Sequence, residues 1–364
     1  MSLPAALRPT LDRGIALVVL VLLAIGPLHL HIGPLQIFNA YWVSYILTGT
    51  FLLGIAAASL IFLSAYGGMV SLAQVSIYGI AGFVLGNCVT TAGTTKGLNL
   101  GLNPWLGVVF GILIATALGF GLGAIASRSA GIYFLMITLV FAVIANYFFG
   151  QVTTVSGFGG IGGIQDYVPG IIGNPNVHPN RLYYLALVMA ILSYMLMRYV
   201  LRTPFGLTLQ GIRDDPVRMT SLGYNVPLHR TVAFGFAAFI ASLSGILFVW
   251  WNGQIAPGSI DLLAVLVLLE IAVIGGLNRL AGAWIGAFVF QIMYVYVQRI
   301  DFRWSFLNNH IGGARYQTAI GAVFLLIVLL SPGGLLGIWE AGVGFVGRRL
   351  KGSRIAVESS ASGS

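Results

Sequence analysis

Very few side chains in this sequence are placed to perform acid–base chemistry. Glu270 is the single acid well inside an apolar run, LLAVLVLLEIAVIGG. An ionised carboxylate is costly there, so it must be protonated, paired or facing water. Two interpretations remain open: Glu270 carries a proton across an apolar barrier, or it has a structural role, packing near Arg279 or against a partner subunit.

Signatures of enzymatic catalysis are missing. The chain contains no H-E-x-x-H, C-x-x-C or G-x-x-x-x-G-K-[ST] pattern. Only His29 and His31 lie close together among the five histidines, and this spacing is more typical of an interfacial polar pair than of a metal site. Cys88 is the one cysteine, so no internal disulfide forms. We expect no enzyme, metal site or cofactor in this chain.

Two other stretches place special residues within apolar surroundings. Gly67–Gly86, GGMVSLAQVSIYGIAGFVLG, sets hydrogen-bonding groups where lipid offers no partner, at Ser71, Gln74, Ser76 and Tyr78. They either join helices or line a wet path. Gly157–Gly163, GFGGIGG, formally contains G-x-G-x-x-G, but it follows a predicted span rather than a strand, which excludes a dinucleotide site.

The composition predicts an all-α, polytopic membrane protein. Hydrophobic residues make up 58% of the 364 residues and charged residues 7%, with a mean hydropathy of +0.95. That leaves too few charges to cover a water-soluble surface, and spans of about 20 apolar residues are expected. About ten runs qualify: Gly14–Leu30, Tyr41–Ser64, Gly68–Val89, Trp105–Ala126, Gly131–Phe149, Tyr183–Val200, Val232–Trp251, Leu262–Ile274, Trp284–Val297 and Gln317–Leu330.

Some runs are short, and two carry related motifs. Leu262–Ile274 and Trp284–Val297 fall below a normal crossing, so one of them is a candidate re-entrant or broken helix. Gly67–Ala73, GGMVSLA, resembles Gly275–Ala281, GGLNRLA, which suggests an internal duplication. We expect residues 1–350 to form one transmembrane domain and residues 351–364 to be a disordered cytoplasmic tail.

The charge pattern predicts a topology. A net charge of +9 could indicate nucleic acid, but the arginines are scattered among loops and form no stripe with aromatic partners. Cytoplasmic N- and C-termini place most of them inside, in agreement with the positive-inside rule. Arg299, Arg303 and Arg315 then fall outside and disagree.

A polar segment, Arg202–Arg230, interrupts the apolar runs and predicts a short helix outside the lipid. Asp215 can cap this helix, Pro216 suits its first position, and Gly223 can provide a left-handed stop. One interpretation is a solvated loop that keeps arginines on the cytoplasmic side. The other is a surface that docks on a second protein.

The sequence TPFGLTLQGIRDDPVRMTSLGYNV in this segment resembles the cytoplasmic coupling loop of permease subunits in branched-chain amino-acid ABC importers, a group that includes related urea and amide importers. Gly67–Gly86, Gly157–Gly163, Gly275–Phe288 and Ser331–Gly337 match the family in the same order. The first two spans and the tail carry little or no such motif. Glu270 departs from the family, in which an apolar residue is expected.

The resemblance implies a multi-pass subunit of the inner membrane that carries hydrophobic amino acids, or urea or short amides. Its implied partners are a second related permease, two cytoplasmic ATPases that bind ATP and Mg, and an extracytoplasmic solute-binding protein. The coupling residues it implies are Gly211, Ile212, Arg213, Asp214, Asp215, Pro216, Val217, Arg218, Met219, Leu222 and Gly223. The candidate translocation path comprises Ser71, Gln74, Ser76, Tyr78, Gly157, Gly159, Gly160 and Glu270. A proton-coupled transporter that uses Glu270 is the alternative from another class.

Overall fold

The structure is a computed structural model that describes residues 42–91, 97–175 and 177–299, with short pieces at 31–32, 35–36, 321–322, 324–325 and 329. The predicted first span, Gly14–Leu30, lies outside the described residues. So do the tail and most of Gln317–Leu330.

The described chain is helical. The helices are α1 (Thr48–Ile61), α2 (Gln74–Val89), α3 (Pro104–Ala126), α4 (Ile132–Gln151), α5 (Pro179–Arg202), α6 (Pro204–Asp214), α7 (Pro216–Ser221), α8 (Val226–Asn252), α9 (Leu262–Gly275) and α10 (Gly282–Arg299). π-Helical turns at Trp42–Leu47 and Phe62–Tyr66 extend α1, and 3₁₀ turns lie at Ile164–Tyr167 and Pro257–Ile260. Two-residue strands, β1 (His31–Ile32) and β2 (Leu35–Gln36), pair antiparallel.

Apolar length explains most of these helices, because a chain in lipid must satisfy its backbone hydrogen bonds internally. Among the described residues, five helices are long and apolar enough to cross a membrane: Tyr45–Tyr66, Pro104–Ala126, Ile132–Gln151, Pro179–Arg202 and Val226–Asn252. Three shorter apolar helices accompany them. Each of the eight predicted spans that lie within the described residues corresponds to one of these eight helices. The prediction of an all-α polytopic fold is confirmed.

The short span predicted at Leu262–Ile274 is also a short helix. α9 has 14 residues, which corresponds to about 21 Å of helix, whereas the hydrocarbon core is about 30 Å thick. α9 ends at Gly275, and after a short turn that starts at Gly276 the next helix, α10, begins at Gly282. α9 alone therefore does not reach across the bilayer.

The centre of the bundle is formed by α1, α2 and α8. In the most apolar 18-residue stretch of each span, the share of residues buried inside the protein is 94% for Tyr45–Tyr66, which contains α1, and 72% for α8. The same share is 22% for α3 and 28% for α4. α8 packs against α1, α2 and α3. The outer helices α3, α4 and α5 therefore present most of their apolar surface outward.

Glycines allow the central backbones to touch. A Cβ at Gly245 of α8 would overlap the carbonyl oxygen of Tyr78 in α2, and one at Gly286 of α10 would overlap the carbonyl oxygen of Ile271 in α9. Close approach of this kind is the main use of small residues in membrane helices.

We expect Gly245→Ala to lower the thermal unfolding midpoint of the detergent-purified protein, at a cost of about 1–3 kcal/mol, because the added methyl group meets backbone that cannot rotate away. Gly121→Ala on α3 is the matched control, since no atom lies within 4 Å of its added Cβ. Equal melting of the two variants would contradict this packing.

Candidate functional site

The segment between α5 and α8 folds into two short helices. α7 begins as predicted: Pro216 occupies its first turn, and the Asp215 carboxylate accepts a hydrogen bond from the backbone N–H of Arg218 at 2.9 Å. Gly223 follows the helix with a positive φ of 89°. These three local predictions are confirmed. α6 was not predicted from the sequence, although Pro204 after Thr203 is a helix-start signal.

α6 is anchored to the bundle. Its buried residues are Gly206, Leu209 and Ile212, spaced three apart on one side of the helix. Gly206 lies against the backbone of Val200 and Leu201 at the end of α5, where a Cβ would overlap the Val200 carbonyl oxygen. α6 is therefore held on the end of α5, and the position of α7 depends on it.

α7 is the exposed part of the segment, and none of its residues is buried. Val217 is 75% exposed and Leu222 65% exposed. Met219 instead lies over Gly211 of α6, where a Cβ would come within 3.0 Å of its sulfur atom. Val217, Met219 and Leu222 are the apolar members of the predicted coupling set from Pro216 onward, and of these three two are open and one packs internally. Their role in docking remains a prediction.

Three further exposed apolar side chains accompany Val217 and Leu222 in this part of the chain. They are Leu207, Tyr224 and Leu228. None of the three is among the predicted coupling residues, and each is separated in sequence from α7 by a turn or by the bend at Asp215. We call these five residues the apolar cap of the segment.

Arg213 connects α6 to a distant part of the chain. Its Nε and Nη2 donate hydrogen bonds to Oδ1 of Asp214 at 2.9 and 2.8 Å, and its Nη1 donates to the backbone carbonyl of Ala65. Its aliphatic part covers Gly68, where a Cβ would lie 2.8 Å from Cγ of Arg213. Arg213 therefore ties α6 to the turn between α1 and α2. Arg218 is exposed on α7.

The turn between α1 and α2 interrupts what would otherwise be a continuous apolar run. Gly68 has a φ of +64°, and residues 68–73 are not helical. The N–H of Leu72 donates to Oγ1 of Thr138 on α4 at 3.2 Å, and the N–H of Ala73 donates to Oγ of Ser71 at 3.3 Å. The side chains of Thr138 and Ser71 thus satisfy backbone N–H groups that have no helical partner.

The four predicted path residues in the turn before α2 and in its first turns are all buried. Ser71, Gln74 and Ser76 are completely buried, and the ring of Tyr78 packs at a tilted angle against that of Phe248, with 5.1 Å between ring centroids. Oε1 of Gln74 accepts a hydrogen bond from Oγ of Ser59 at 3.2 Å. Gln74 Nε2 and Ser76 Oγ have no hydrogen-bond partner within the described part of the chain. In this conformation they lie within helix packing, and their contact with solute remains a prediction.

The glycine-rich stretch lies at the opposite end of the bundle from α7. Gly157 and Gly160 are buried and have positive φ values of 66° and 69°. Gly159, between them, is exposed. Ile161 and Ile255 exchange two backbone hydrogen bonds of 2.8 and 2.9 Å, which fixes the stretch to the loop after α8. A Cβ at Gly160 would overlap the Ile255 carbonyl oxygen. The structure thus places these glycines away from the start of α2.

Glu270 lies on α9 and is partly buried. Across residues 42–299, apart from the undescribed 92–96 and 176, the structure gives it no hydrogen bond and no ion pair. The ion pair found in these ranges joins Arg213 to Asp214. The structure shows no ion pair between Glu270 and Arg279, and the packing of Glu270 near Arg279 or against a partner subunit remains a prediction.

Comparison with known proteins identifies the family. The family model described as "Branched-chain amino acid transport system / permease component" matches residues 42–331. The chain belongs to this family. It follows that this permease is a multi-pass membrane protein, as its apolar helices already indicate.

Two relatives are both described as "High-affinity branched-chain amino acid transport system permease protein LivM". The permease is 26% identical to the one from Escherichia coli over 248 residues, covering 62% of this chain and 55% of the relative. It is 27% identical to the one from Salmonella typhimurium over 191 residues, or 46% and 44% of the two chains. The permease spans about half the length of these curated relatives. No solved structure matches it significantly.

Proposed function

We propose that this chain is a membrane-spanning subunit of an ATP-binding-cassette importer that moves branched-chain amino acids across the inner membrane. The observation that carries the proposal is the α6–α7 segment, which is anchored to the bundle through α6 and offers the apolar cap on its outer surface. Exposed apolar side chains beside charged ones, outside the long apolar helices, are suited to contact with another protein.

The remaining components of the importer follow from this role. A second related permease completes the translocation path, an extracytoplasmic solute-binding protein delivers the solute, and two cytoplasmic ATPases bind ATP and Mg. Val217 and Leu222 fill a groove on one ATPase, and Arg218 on the same helix fixes the orientation by charge.

The contacts of Arg213 supply the path by which ATPase closure reaches the membrane. Movement of α7 displaces α6, and Arg213 transfers that displacement to Ala65 and Gly68 between α1 and α2. α1 and α2 belong to the buried centre, so a small shift at this turn alters the packing of the whole bundle.

The distribution of arginine supports a cytoplasmic position for α7. Within the described residues, the end of the bundle that carries α7 also holds Arg128, Arg198, Arg202, Arg213, Arg218, Arg230 and Arg279, whereas the opposite end holds Arg181 and the last residue of α10, Arg299. Loops on the cytoplasmic side carry this excess of positive charge. We place the N- and C-termini on that side as well.

The chemical identity of the solute is a separate step of the proposal. Gln74 Nε2 and Ser76 Oγ are buried donors without a partner in the described residues. If helix repacking opens the path beside α2, they become available to the carboxylate of an amino acid or to the carbonyl of urea or a short amide. Leucine is the first solute to test and urea the second.

Reconstituted vesicles provide the test. We expect radiolabelled leucine uptake to require the permease pair, both ATPases, the solute-binding protein and ATP. Uptake of urea but not leucine under the same conditions would replace the amino-acid proposal with the urea one.

The same vesicles test the proton-coupled alternative, which the unpaired carboxylate of Glu270 favours. For an ATP-driven importer, we expect Glu270→Gln to retain uptake and an imposed proton gradient to have no effect without ATP. Uptake that follows the gradient without ATP and disappears in Glu270→Gln would overturn the proposal.

A further inference from the structure

One apolar helix carries a carboxylate on the side that faces away from the rest of the chain. α9 packs chiefly against α10 and α1, and its buried residues lie on one side of the helix: Val265, Leu268, Ile271, Ala272, Ile274 and Gly275. On the other side Leu262, Leu263 and Leu266 are 53%, 53% and 45% exposed. Glu270 follows Leu266 by one helical turn and Leu263 by two, so it lies on the same side. We call these four residues the open side of α9.

Glu270 lies in the interior of α9 and not at its end. It is the ninth of the 14 residues of the helix, about 12 Å along the axis from Leu262, and it is the only charged residue of α9. Its carboxylate has no hydrogen bond and no ion pair to any residue that the structure describes. A carboxylate at this depth is costly in lipid, and such groups normally face protein or water. Contact of the open side with lipid alone is therefore unfavourable.

The length of α9 leads to the same conclusion independently. The helix accounts for about 21 Å of a hydrocarbon core that is about 30 Å thick. Residues 276–281 after it are not helical, and a 3₁₀ turn precedes it at Pro257–Ile260. Non-helical backbone at the depth of the lipid tails is tolerated only where protein or water covers it. Both features indicate that something other than lipid lies against α9.

The leucines beside Glu270 distinguish protein from water. Leu262, Leu263 and Leu266 gain free energy when they leave water, so the open side is suited to apolar side chains and not to a water-filled path. The protein that covers it lies in the membrane, and the second permease is the one membrane-embedded partner in the proposed importer. We propose, on the basis of that proposed function, that the second permease packs on the open side of α9 and donates a hydrogen bond to the carboxylate of Glu270.

This contact defines the chemistry of the partner's surface. The partner presents a membrane helix whose facing side is apolar except for one donor at the depth of Glu270, either a hydroxyl, an amide or a cationic group. The hydrogen bond offsets the cost of burying the carboxylate. A single polar contact in an otherwise apolar interface also fixes how the two helices are aligned, because sliding would leave both groups unpaired.

Photo-crosslinking in the assembled importer tests the interface. Leu266→p-benzoylphenylalanine places a crosslinker on the open side, and Leu113→p-benzoylphenylalanine, at a residue 58% exposed on α3, is the matched control. In membranes that contain the complete importer, we expect illumination to join residue 266, and not residue 113, to the second permease, which is identified by the mass and peptides of the adduct. An adduct with residues 300–331 of the same chain, an adduct with a second copy of this chain, or no protein adduct from residue 266 would overturn the proposal.

Two substitutions of Glu270 test the hydrogen bond. Glu270→Gln keeps an acceptor and is expected to retain the second permease, whereas Glu270→Leu leaves the partner's donor unpaired and is expected to weaken the association of the two subunits about 10-fold. The isolated chain with Glu270→Leu is expected to melt no lower than wild type, because no described residue bonds the carboxylate. Equal retention of the second permease by the two variants, or a lower melting temperature of the isolated Leu variant, would overturn the proposal.

Leucine uptake by the wild type separates this proposal from the one on which it rests. If uptake requires ATP and the second permease but residue 266 gives no adduct with that subunit, the importer remains and the interface on α9 is wrong. If uptake requires neither, both proposals fail.

Discussion

Val217→Asp combined with Leu222→Asp is expected to separate the permease from its ATPase subunits while leaving it folded in the membrane. Both side chains are largely exposed, so their replacement disturbs no internal packing. Burying an apolar side chain of this size in a partner is worth about 1.5–3 kcal/mol, and the pair therefore accounts for roughly 100-fold or more in affinity. Affinity for the purified ATPase, measured in detergent, is the direct readout.

Thr220→Asp is the control for the added charge. Thr220 is exposed on the same helix but contributes little apolar surface. We expect this variant to bind the ATPase within a few-fold of wild type. Unchanged binding of the double variant would remove α7 from the proposed interface, and equal loss in both variants would indicate charge repulsion rather than lost apolar contact.

The start and end of α7 were predictable because their signals are local. Asp215, Pro216 and Gly223 act through backbone geometry within a few residues, and such preferences persist in most contexts. Spans were predictable for a similar reason, since apolar length alone demands a helix in lipid.

Which helices are buried in the protein and which face outward could not be predicted in the same way. α1 and α3 are similarly apolar, yet most of α1 is buried in protein and most of α3 faces outward. In a soluble protein polar residues would mark the outer face, but lipid accepts the same side chains as the protein interior does. The sequence therefore carries no contrast from which the central helices could be recognised.

Contacts between residues far apart in the chain could not be predicted from the sequence either. Ala65 and Arg213 are separated by 148 positions, and no pattern near either residue indicates the other. The same is true of Met219, which covers Gly211 rather than lying open beside Val217. Val217, Met219 and Leu222 all belong to the predicted coupling set, but neither the sequence pattern nor the family resemblance specifies which side of a short helix is free.

The two related glycine motifs occupy comparable places. Gly67–Ala73 connects α1 to α2 and Gly275–Ala281 connects α9 to α10, and the second glycine of each has a positive φ, 64° at Gly68 and 107° at Gly276. A residue with a side chain would be strained at either position. This agreement in geometry supports the duplication hypothesis, which remains a prediction.

Arg213→Gln is expected to uncouple ATP hydrolysis from uptake. Glutamine keeps a polar group of moderate length but loses the charge-assisted hydrogen bond to Ala65 and the ion pair with Asp214. Hydrogen bonds to charged groups are worth about 1.5–3 kcal/mol, so loss of the link to α1 should reduce uptake about 10-fold or more. ATPase binding should persist because Val217 and Leu222 are unchanged. The measurements are leucine uptake and ATP hydrolysis in the same vesicles.

Arg218→Gln separates this effect from a simple loss of charge. It removes one positive charge from the same segment, but Arg218 is exposed on α7 and its side chain takes no part in the link to Ala65. We expect it to change the affinity for the ATPase and its dependence on salt while keeping the ratio of solute moved to ATP hydrolysed. If Arg213→Gln also kept that ratio, the turn between α1 and α2 would not be the element through which α6 acts on the bundle.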